Sequence, residues 1–403
     1  MEVDAPVDAA RTRLPSKGTR HRTTSALLAG LVVAGALLAA CSSSSSTATT
    51  TTTPPGGTLS ASNAAYIAAD LKAPSGSITA AGSTFVQPFF TKAFYTYTGS
   101  NSGLQVIYSG VGSGAGISDF QAGSVDFAAS DVPMSPSELA KVPASRGPVI
   151  QIPDTLGGVS VAYDLPGVTK RIRLDGAVLA GIFDASIRTW NAPAITALNP
   201  GVALPAHAIV PEVRADSSGT TYIFTDYLST AAPSAWTLGV SKTIAWPSAA
   251  IQTPHNSGVA ASIKSTPYSI GYVELAYALQ NNFTSAAIKN AAGVYVVPTL
   301  ASVAADADQK IAVSPTNFSI VNQPGATSYP IAGYSWAILQ QKQTSTTTGA
   351  QVVKVLDWTT HTGGGQDQAT GLGYVVLPPG LQNADRTALL TVVGPNGQAL
   401  LTK

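Results

Sequence analysis

The sequence predicts an α/β protein built on largely parallel β-sheet. Two observations support this class. Short apolar runs alternate with segments of helical spacing from residue 77 onward, and glycine-rich turns such as Gly82-Ser83 and Gly110-Val111-Gly112 connect them. In sheets of this kind the carboxyl ends of the strands meet at one edge, where ligands collect.

Three short strands open the folded part of the chain, and a turn or a short helix follows each of them. The turn after the first strand is Gly82-Ser83-Thr84-Phe85, and the helix after the second strand ends at Gly123, because glycine commonly terminates helices. The third strand leads into Ser130 and Asp131. The three predicted strands are Ile78 to Ala81, Leu104 to Tyr108 and Val125 to Ala129.

Strands and helices continue to alternate along the rest of the chain. The strands predicted there are Val149 to Ile152, Gly158 to Tyr163, Ile270 to Val273 and Trp336 to Leu339. The helices predicted there are Leu174 to Phe183, Glu274 to Gln280 and Val352 to Thr360.

The first forty residues have the features of an export signal. A basic stretch precedes Ala26 to Ala40, an apolar run that is short for a membrane span. The run ends in Leu38-Ala39-Ala40-Cys41, which resembles the bacterial lipoprotein signal, in which the cysteine becomes the lipidated N-terminus. An ordinary secretory signal with an incidental cysteine is the alternative. We therefore expect a signal peptide over 1–40 and lipidation at Cys41.

Residues 41–76 are predicted to form a tether and linker. Ser42 to Gly57 is a tract of serine and threonine that ends in Pro54-Pro55-Gly56-Gly57. Such a segment has too little apolar surface to form a core, so we expect it to be disordered.

Composition and charge exclude several classes of function. The 403 residues carry a formal net charge of +1, and without the first forty residues 17 basic and 18 acidic side chains remain. That balance argues against a nucleic-acid partner, which requires a basic surface. Cys41 is the only cysteine in the sequence, and the four histidines are widely scattered. We therefore expect no disulfide within the chain, no metal site and no cofactor.

The stretch from Arg214 to Thr220 predicts an anion site. An apolar strand, Ala208 to Val213, leads into it, and an amphipathic helix, Thr221 to Leu228, follows. The first N–H groups of a helix have no partner within the helix and, together with the helix dipole, favour an anion. Arg214 adds a planar set of donors that suits a tetrahedral oxyanion, and Asp216 is placed to hold that guanidinium. We predict that this stretch binds phosphate.

Three further residues share this placement. Thr84, Ser113 and Asp131 follow predicted strands at their carboxyl ends, as Ser218 does. Taken singly, a serine or threonine at such a position is usually a helix N-cap, and an aspartate is usually a turn residue. The set is more informative, because it combines three helix starts of small residues with one arginine and one aspartate and has no catalytic base.

Two enzymatic interpretations are weaker. Gly110-x-Gly112-x-x-Ala115 matches a loose dinucleotide fingerprint, but it does not follow the first strand, and an exported protein meets little nicotinamide cofactor. A serine hydrolase needs a Gly-x-Ser-x-Gly elbow and a histidine base, and Ser109, Ser113 and Ser218 lack that frame. The sequence has no Gly-Lys-Ser/Thr P-loop either. We therefore expect a binding protein and not an enzyme, with no catalytic residues.

Five stretches of the chain form an ordered set of motifs. They are Ala81 to Phe85, Gly110 to Ser113, Val125 to Asp131, Arg214 to Thr220 and Gly271 to Tyr277. Together they resemble the phosphate-binding proteins of bacterial phosphate ABC transporters, the PstS family, over about residues 77 to 380. The resemblance implies a two-lobed periplasmic-binding-protein fold, in which each lobe is a mostly parallel sheet flanked by helices and the ligand lies in the cleft between the lobes. The first lobe would comprise 77–163 plus 332–403, and the second would comprise 164–331.

The resemblance also implies a set of ligand residues. Asp216 would orient Arg214, and Ser217 stands where the family usually has glycine, a departure that we do not expect to change the ligand. Phe85 and Gly219 would act through their backbone N–H groups. The phosphate-binding residues would be Thr84, Phe85, Ser113 and Asp131 from the first lobe and Arg214, Ser218, Gly219 and Thr220 from the second.

The expected function is high-affinity capture of inorganic phosphate outside the cell membrane and its delivery to the permease subunits of an ABC importer. Phosphate near neutral pH keeps a proton that sulfate lacks, so the Asp131 carboxylate would accept a hydrogen bond from phosphate and repel sulfate. Two other functions stay open, namely binding of another oxyanion such as sulfate or molybdate, and adhesion or phosphate sensing on the same fold.

Overall fold

Strands and helices alternate through residues 72–402, the part of the chain that the computed structural model describes. The predicted signal peptide, the lipidation site at Cys41 and the tether as far as residue 71 lie outside these residues. The strands are β1 (Gly76–Gly82), β2 (Leu104–Gly110), β3 (Phe127–Ser130), β4 (Val149–Tyr163), β5 (Arg173–Leu174), β6 (Val210–Arg214), β7 (Ile251–Thr253), β8 (Ser269–Glu274), β9 (Thr284–Ser285), β10 (Ala287–Lys289), β11 (Tyr295–Val296) and β12 (Ala332–Gln340). The helices are α1 (Gln87–Ser100), α2 (Ser113–Ala122), α3 (Pro136–Leu139), α4 (Gly176–Phe183), α5 (Pro193–Leu198), α6 (Gly219–Ala231), α7 (His255–Ser265), α8 (Leu275–Gln280), α9 (Leu300–Ala307), α10 (Thr346–Thr359), α11 (Ala369–Leu372) and α12 (Pro379–Leu389), and 3₁₀ turns cover Ala144–Arg146 and Gly365–Gln368.

The two central strands, β4 and β12, connect two blocks of parallel strands. The sheet has nine strands in the order β2-β1-β3-β12-β4-β8-β6-β7, with β9 also paired to β4. On one side β1 is parallel to β2 and β3, and on the other side β6 is parallel to β7 and β8. The pairings of β12 with β3, of β12 with β4 and of β4 with β8 are antiparallel. We call the side of β1–β3 the first lobe and the side of β6–β8 the second lobe.

Strand β4 passes from one lobe to the other without a break. It pairs with β12 as far as Gly158 and with β8 from Val159 onward. The prediction of two separate strands here was wrong. Asp154 interrupts the apolar pattern of the sequence, but it forms a β-bulge, and the pairing with β12 continues on both sides of it. The predicted lobe boundary at 163/164 stays a prediction, as does the one at 331/332.

Aromatic side chains on α1 form the core of the first lobe. Phe90 stacks on Phe94 with ring centroids 4.7 Å apart, and Phe94 meets Phe127 of β3 edge-on at 6.2 Å. All three rings are buried, and aromatic pairs in these geometries stabilise a core beyond the area they bury. This packing holds α1, and the turn that precedes it, against β3.

The three opening strands and the end of α2 at Gly123 are confirmed, and Gly123 has the left-handed φ of +72° that favours glycine. Helices α7, α9 and α12 were not predicted. Helix α7 contains mainly small and polar residues, so its sequence has little amphipathic contrast. Between residues 72 and 402, no helix has the length and apolar character needed to cross a membrane.

Candidate functional site

The end of β1 brings the first polar residues of the site close to the end of β3. Gly82 has a φ of +145°, and a Cβ at this position would lie 2.8 Å from the backbone nitrogen of Ala129. The two strands therefore approach more closely than a side chain would allow. The Ser83 N–H donates to the carbonyl oxygen of Ala129 at 2.8 Å, which places Ser83 and Thr84 beside Asp131.

Asp131 is the acidic residue of this cluster, and only 2% of it is exposed. Its carboxylate accepts hydrogen bonds from Ser83 Oγ and, at 3.4 Å, from Thr220 Oγ1. Burial raises the pKa of Asp131 to about 7, and the opposing effects of the Ser83 hydrogen bond and the Arg214 charge are smaller. Near neutral pH this carboxyl is therefore close to the point at which it changes from donor to acceptor.

The second lobe contributes a guanidinium held by a neighbouring carboxylate. Arg214, the last residue of β6, is 3% exposed and donates from Nε to Asp216 Oδ1 at 2.7 Å and from Nη2 to Asp216 Oδ2. Burial would raise the pKa of Asp216, but hydrogen bonds from Arg214 and its charge outweigh burial and lower it. The carboxylate therefore stays ionised and fixes the guanidinium plane, while Nη1 points toward Thr220 Oγ1 at 3.5 Å.

Helix α6 begins at the same place and directs its N-terminus into the cluster. Ser218 is the N-cap, and its Oγ accepts a hydrogen bond from the Thr221 N–H at 3.1 Å. The Gly219 N–H, one of the first helical donors, crosses the cleft to Ser113 Oγ at 3.2 Å. A Cβ at Gly219 would lie 2.6 Å from Asp131 Oδ2, so only glycine fits at this approach of the two lobes.

All eight residues predicted to bind the ligand are buried and come together at the cleft. Phe85 differs from the others, because its ring packs against Tyr374 in the core and its N–H donates to Ser83 Oγ at 2.9 Å. A further bond across the cleft runs from the Gly114 N–H to the carbonyl oxygen of Ser217 at 3.0 Å. The eight are Thr84, Phe85, Ser113, Asp131, Arg214, Ser218, Gly219 and Thr220.

Asn256 belongs to this cluster and was not predicted. Its Nδ2 donates to Thr84 Oγ1 at 3.0 Å and to Thr220 Oγ1 at 3.2 Å, and its own N–H donates to Thr84 Oγ1 at 3.2 Å. Its Oδ1 accepts from the Glu274 N–H at 3.0 Å, so the amide orientation is fixed. The available signal was its position just after β7, the same strand-end placement that identified Thr84 and Ser113.

The hydrogen bonds from Asn256 determine whether the hydroxyls of Thr84 and Thr220 act as donors or acceptors toward a ligand. A hydroxyl has one hydrogen to donate and two lone pairs to accept with. Thr84 Oγ1 accepts two hydrogen bonds from Asn256, so its remaining capacity is to donate. The cluster thus presents hydroxyl, amide and guanidinium donors around a single acceptor, Asp131, which suits a small oxyanion that carries one proton.

A separate cavity of about 520 Å³ lies beside the cluster and is also lined by both lobes. Its walls include Val132, Met134 and Phe318, and an ion pair between Lys242 and Glu138 joins its two sides. None of the eight predicted ligand residues lines it. Within residues 72–402 there is also no group of three or more histidine, cysteine, aspartate or glutamate side chains that could hold a metal ion.

Comparison with known proteins shows which family this chain belongs to. A family model described as a PBP superfamily domain matches residues 42–361. The phosphate-binding protein PstS of Pasteurella multocida is 38% identical over 307 residues, which cover 75% of this chain and 86% of the relative. A phosphate-binding protein from Stenotrophomonas maltophilia has a similar structure, with a TM-score of 0.67, 21% identity and coverage of 81% of this chain and 99% of the other.

A second similar structure is that of a high-affinity periplasmic phosphate-binding protein bound with phosphate. Its TM-score is 0.65 at 24% identity, and the match covers 77% of this chain and 93% of the other chain. Both structures share the two-lobed fold, which confirms the predicted fold class. With a superfamily match over most of the chain and a relative at 38% identity, the family resemblance is confirmed as well. The chain belongs to the PstS family of the PBP superfamily.

Proposed function

We propose that this protein binds inorganic phosphate in the cleft between its lobes and serves a phosphate ABC importer. The relatives that carry the name phosphate-binding protein PstS support this function. The observation that carries it is the arrangement of many fixed donors around the single acceptor Asp131. The same eight residues predicted from the sequence would hold the ligand.

In this proposal Arg214 supplies the positive charge of the site. Because Asp216 occupies Nε and Nη2, the guanidinium would contact phosphate through Nη1 and its neighbouring face. Ser218 and Ser113 accept bonds from backbone N–H groups, so their hydroxyl hydrogens are available to phosphate oxygens. The N-terminus of α6 would add backbone donors and the positive end of its dipole.

Asp131 would decide between phosphate and sulfate. An ionised Asp131 accepts the proton of phosphate as a hydrogen bond, whereas sulfate would present only lone pairs to it and leave the carboxylate unpaired. When the wrong ligand leaves a buried polar group of the site unpaired, its affinity is lower than that of the right ligand by a factor of roughly 10⁴ to 10⁵. The alternative of a sulfate-like ligand is therefore disfavoured, and selectivity should be greatest above pH 7, where Asp131 is ionised.

The cellular part of the proposal is phosphate delivery from outside the cell membrane. Hydrogen bonds across the cleft, such as those between Gly219 and Ser113, support a closed form that the ligand would stabilise and that permease subunits would recognise. The lipoprotein-like signal that ends at Cys41 supports an anchored, extracytoplasmic protein. An adhesion or sensing role on the same fold predicts normal growth in low phosphate when the gene is deleted, whereas delivery predicts a growth defect.

Titration calorimetry at pH 8 tests the binding proposal directly. We expect one phosphate per protein and a sulfate affinity lower by a factor of roughly 10⁴. Equilibrium dialysis against labelled phosphate serves as an independent measurement. The proposal is refuted if neither method detects phosphate binding, and the role of Asp131 is refuted if sulfate binds as tightly as phosphate.

A further inference from the structure

The β-bulge in β4 places a second carboxyl group next to the site. Across β12, Ser335 pairs with Thr155 and Trp336 pairs with Pro153, so Asp154 is the extra residue of the bulge. Bulges are frequent near binding sites because they re-aim one side chain out of the regular alternation. Here the bulge directs the Asp154 side chain toward Ser335 of β12, since Asp154 Oδ2 lies 3.4 Å from Ser335 Oγ.

Ser335 stands between the bulge and Asp131. Its neighbour Trp336 pairs with Ser130 of β3, so the register places Ser335 level with Asp131 on one side, and on the other side Ser335 pairs with Thr155, next to Asp154. The Ser335 hydroxyl lies within hydrogen-bond distance of Asp154 Oδ2, and it offsets part of the pKa increase that burial causes at both Asp154 and Asp131. The Ser335 hydroxyl has one hydrogen, and only one of the two carboxyl groups can accept it at a time.

Asp154 is poorly placed to carry a negative charge. It is fully buried, and its Oδ1 has no hydrogen-bond partner among residues 72–402. The titratable groups that face it are Asp131 at the end of β3, Asp385 on α12 and Tyr108 on β2, and none of them is a cation. Burial and the neighbouring Asp131 raise its pKa well above the ordinary value, and the hydrogen bond with Ser335 lowers it by less.

We propose that Asp154 is a positioning residue for the phosphate site: it keeps its proton, donates it as a hydrogen bond to Ser335 Oγ, and thereby turns the Ser335 hydroxyl toward Asp131. The inference rests on the proposed function, because it concerns how Asp131 is kept as an acceptor for the phosphate proton. An ionised Asp154 would compete for the Ser335 hydrogen and repel the Asp131 carboxylate. A neutral Asp154 does neither.

Two substitutions and a control separate this role from simple packing. Asp154→Asn supplies an amide N–H in place of the carboxyl O–H, so phosphate affinity at pH 7 should stay within about threefold of the wild type. Ser335→Ala removes the bridge, so affinity should fall by about tenfold, the usual effect of losing a hydrogen bond to a charged group. Ser160→Ala is the control, because Ser160 is a buried serine on β4, the strand of Asp154, and bonds Ser285 instead; the phosphate affinity of this variant should not change.

Infrared spectroscopy can detect directly whether the Asp154 carboxyl group is protonated. The wild-type spectrum minus that of Asp154→Asn should contain the carbonyl band of a protonated carboxyl group at pH 7, with and without phosphate. The proposal is overturned if that band is absent, or if Asp154→Asn loses as much affinity as Ser335→Ala. If Asp154→Asn does not fold, aspartate ¹³C labelling of the Asp131→Asn variant decides, since the shifted band at pH 7 must then be stronger than the other buried aspartates whose pKa is raised, Asp306 and Asp385, account for. Failure of wild type to bind phosphate would refute the proposed function but leave the infrared result valid.

Discussion

Replacement of Asp131 by asparagine should change how stability depends on pH in the phosphate-free protein. The Asp131 carboxyl is 2% exposed, and burial raises its pKa from 3.8 to about 7. A carboxyl whose pKa is higher in the folded state binds its proton more tightly when folded. Its contribution to stability is therefore fully present below pH 4 and is lost as pH rises through 7.

The size of the effect follows from the shift. The increase is about three pKa units, and each unit corresponds to about 1.4 kcal/mol, so ionising Asp131 costs the folded protein at most about 4 kcal/mol. Asparagine has nearly the same shape and does not ionise. Relative to wild type, Asp131→Asn should gain about 3 kcal/mol of unfolding free energy between pH 5 and pH 8.5, because about one of the three units is already lost between pH 4 and pH 5.

Urea unfolding at pH 5 and pH 8.5 in phosphate-free buffer measures this difference. Asp308→Asn is a suitable control, because Asp308 is exposed and the same charge is removed at the surface. The control should follow the wild type at both pH values. Parallel pH profiles for wild type and Asp131→Asn would show that burial of Asp131 does not perturb its titration, and the expected rise in phosphate selectivity above pH 7 would lose its basis.

Three further variants test the rest of the site by calorimetry with phosphate. Arg214→Ala should weaken binding by about 3 kcal/mol, because the ligand loses its charged donor and Asp216 loses its ion-pair partner. Asn256→Ala should weaken binding by about 1 kcal/mol, because the hydroxyls of Thr84 and Thr220 are no longer held as donors. Gly219→Ala should weaken binding by more than tenfold, because its Cβ would lie 2.6 Å from Asp131 Oδ2.

Each of these variants has an outcome that contradicts its rationale. Unchanged affinity in Arg214→Ala would place the ligand away from Arg214, and unchanged affinity in Asn256→Ala would mean that the threonine hydroxyls orient themselves. For Gly219→Ala, unchanged affinity would mean that a methyl group fits between α6 and Asp131 in the bound form. Thr225→Ser, a conservative change on the same helix away from the cluster, is the control for that case.

Local chemistry made much of the site predictable. The end of β6, the N-cap Ser218 and the pair of Arg214 with Asp216 lie within five residues of one another, so their arrangement follows from a strand that turns directly into a helix. In this segment the next residues along the chain supply the hydrogen-bond partners, so a short segment determines its own geometry. The turn after β1 and Asp131 after β3 were predictable only by their strand-end positions, because Ser83 bonds Ala129 and Asp131 bonds Ser83, far apart in the chain.

Contacts between distant residues were not predictable in this way. Asn256 bonds Thr84 across 172 positions of sequence, and such a contact leaves no periodic pattern in either segment. The continuity of β4 likewise depends on its pairing with β12 on both sides of Asp154. From the sequence alone, the polar Asp154 indicates the end of a strand. By itself, the sequence determined the family, the α/β class and the residues at each strand end. Only the tertiary structure decided how the two lobes bring those ends together, because that geometry depends on packing and hydrogen bonds between segments far apart in the chain.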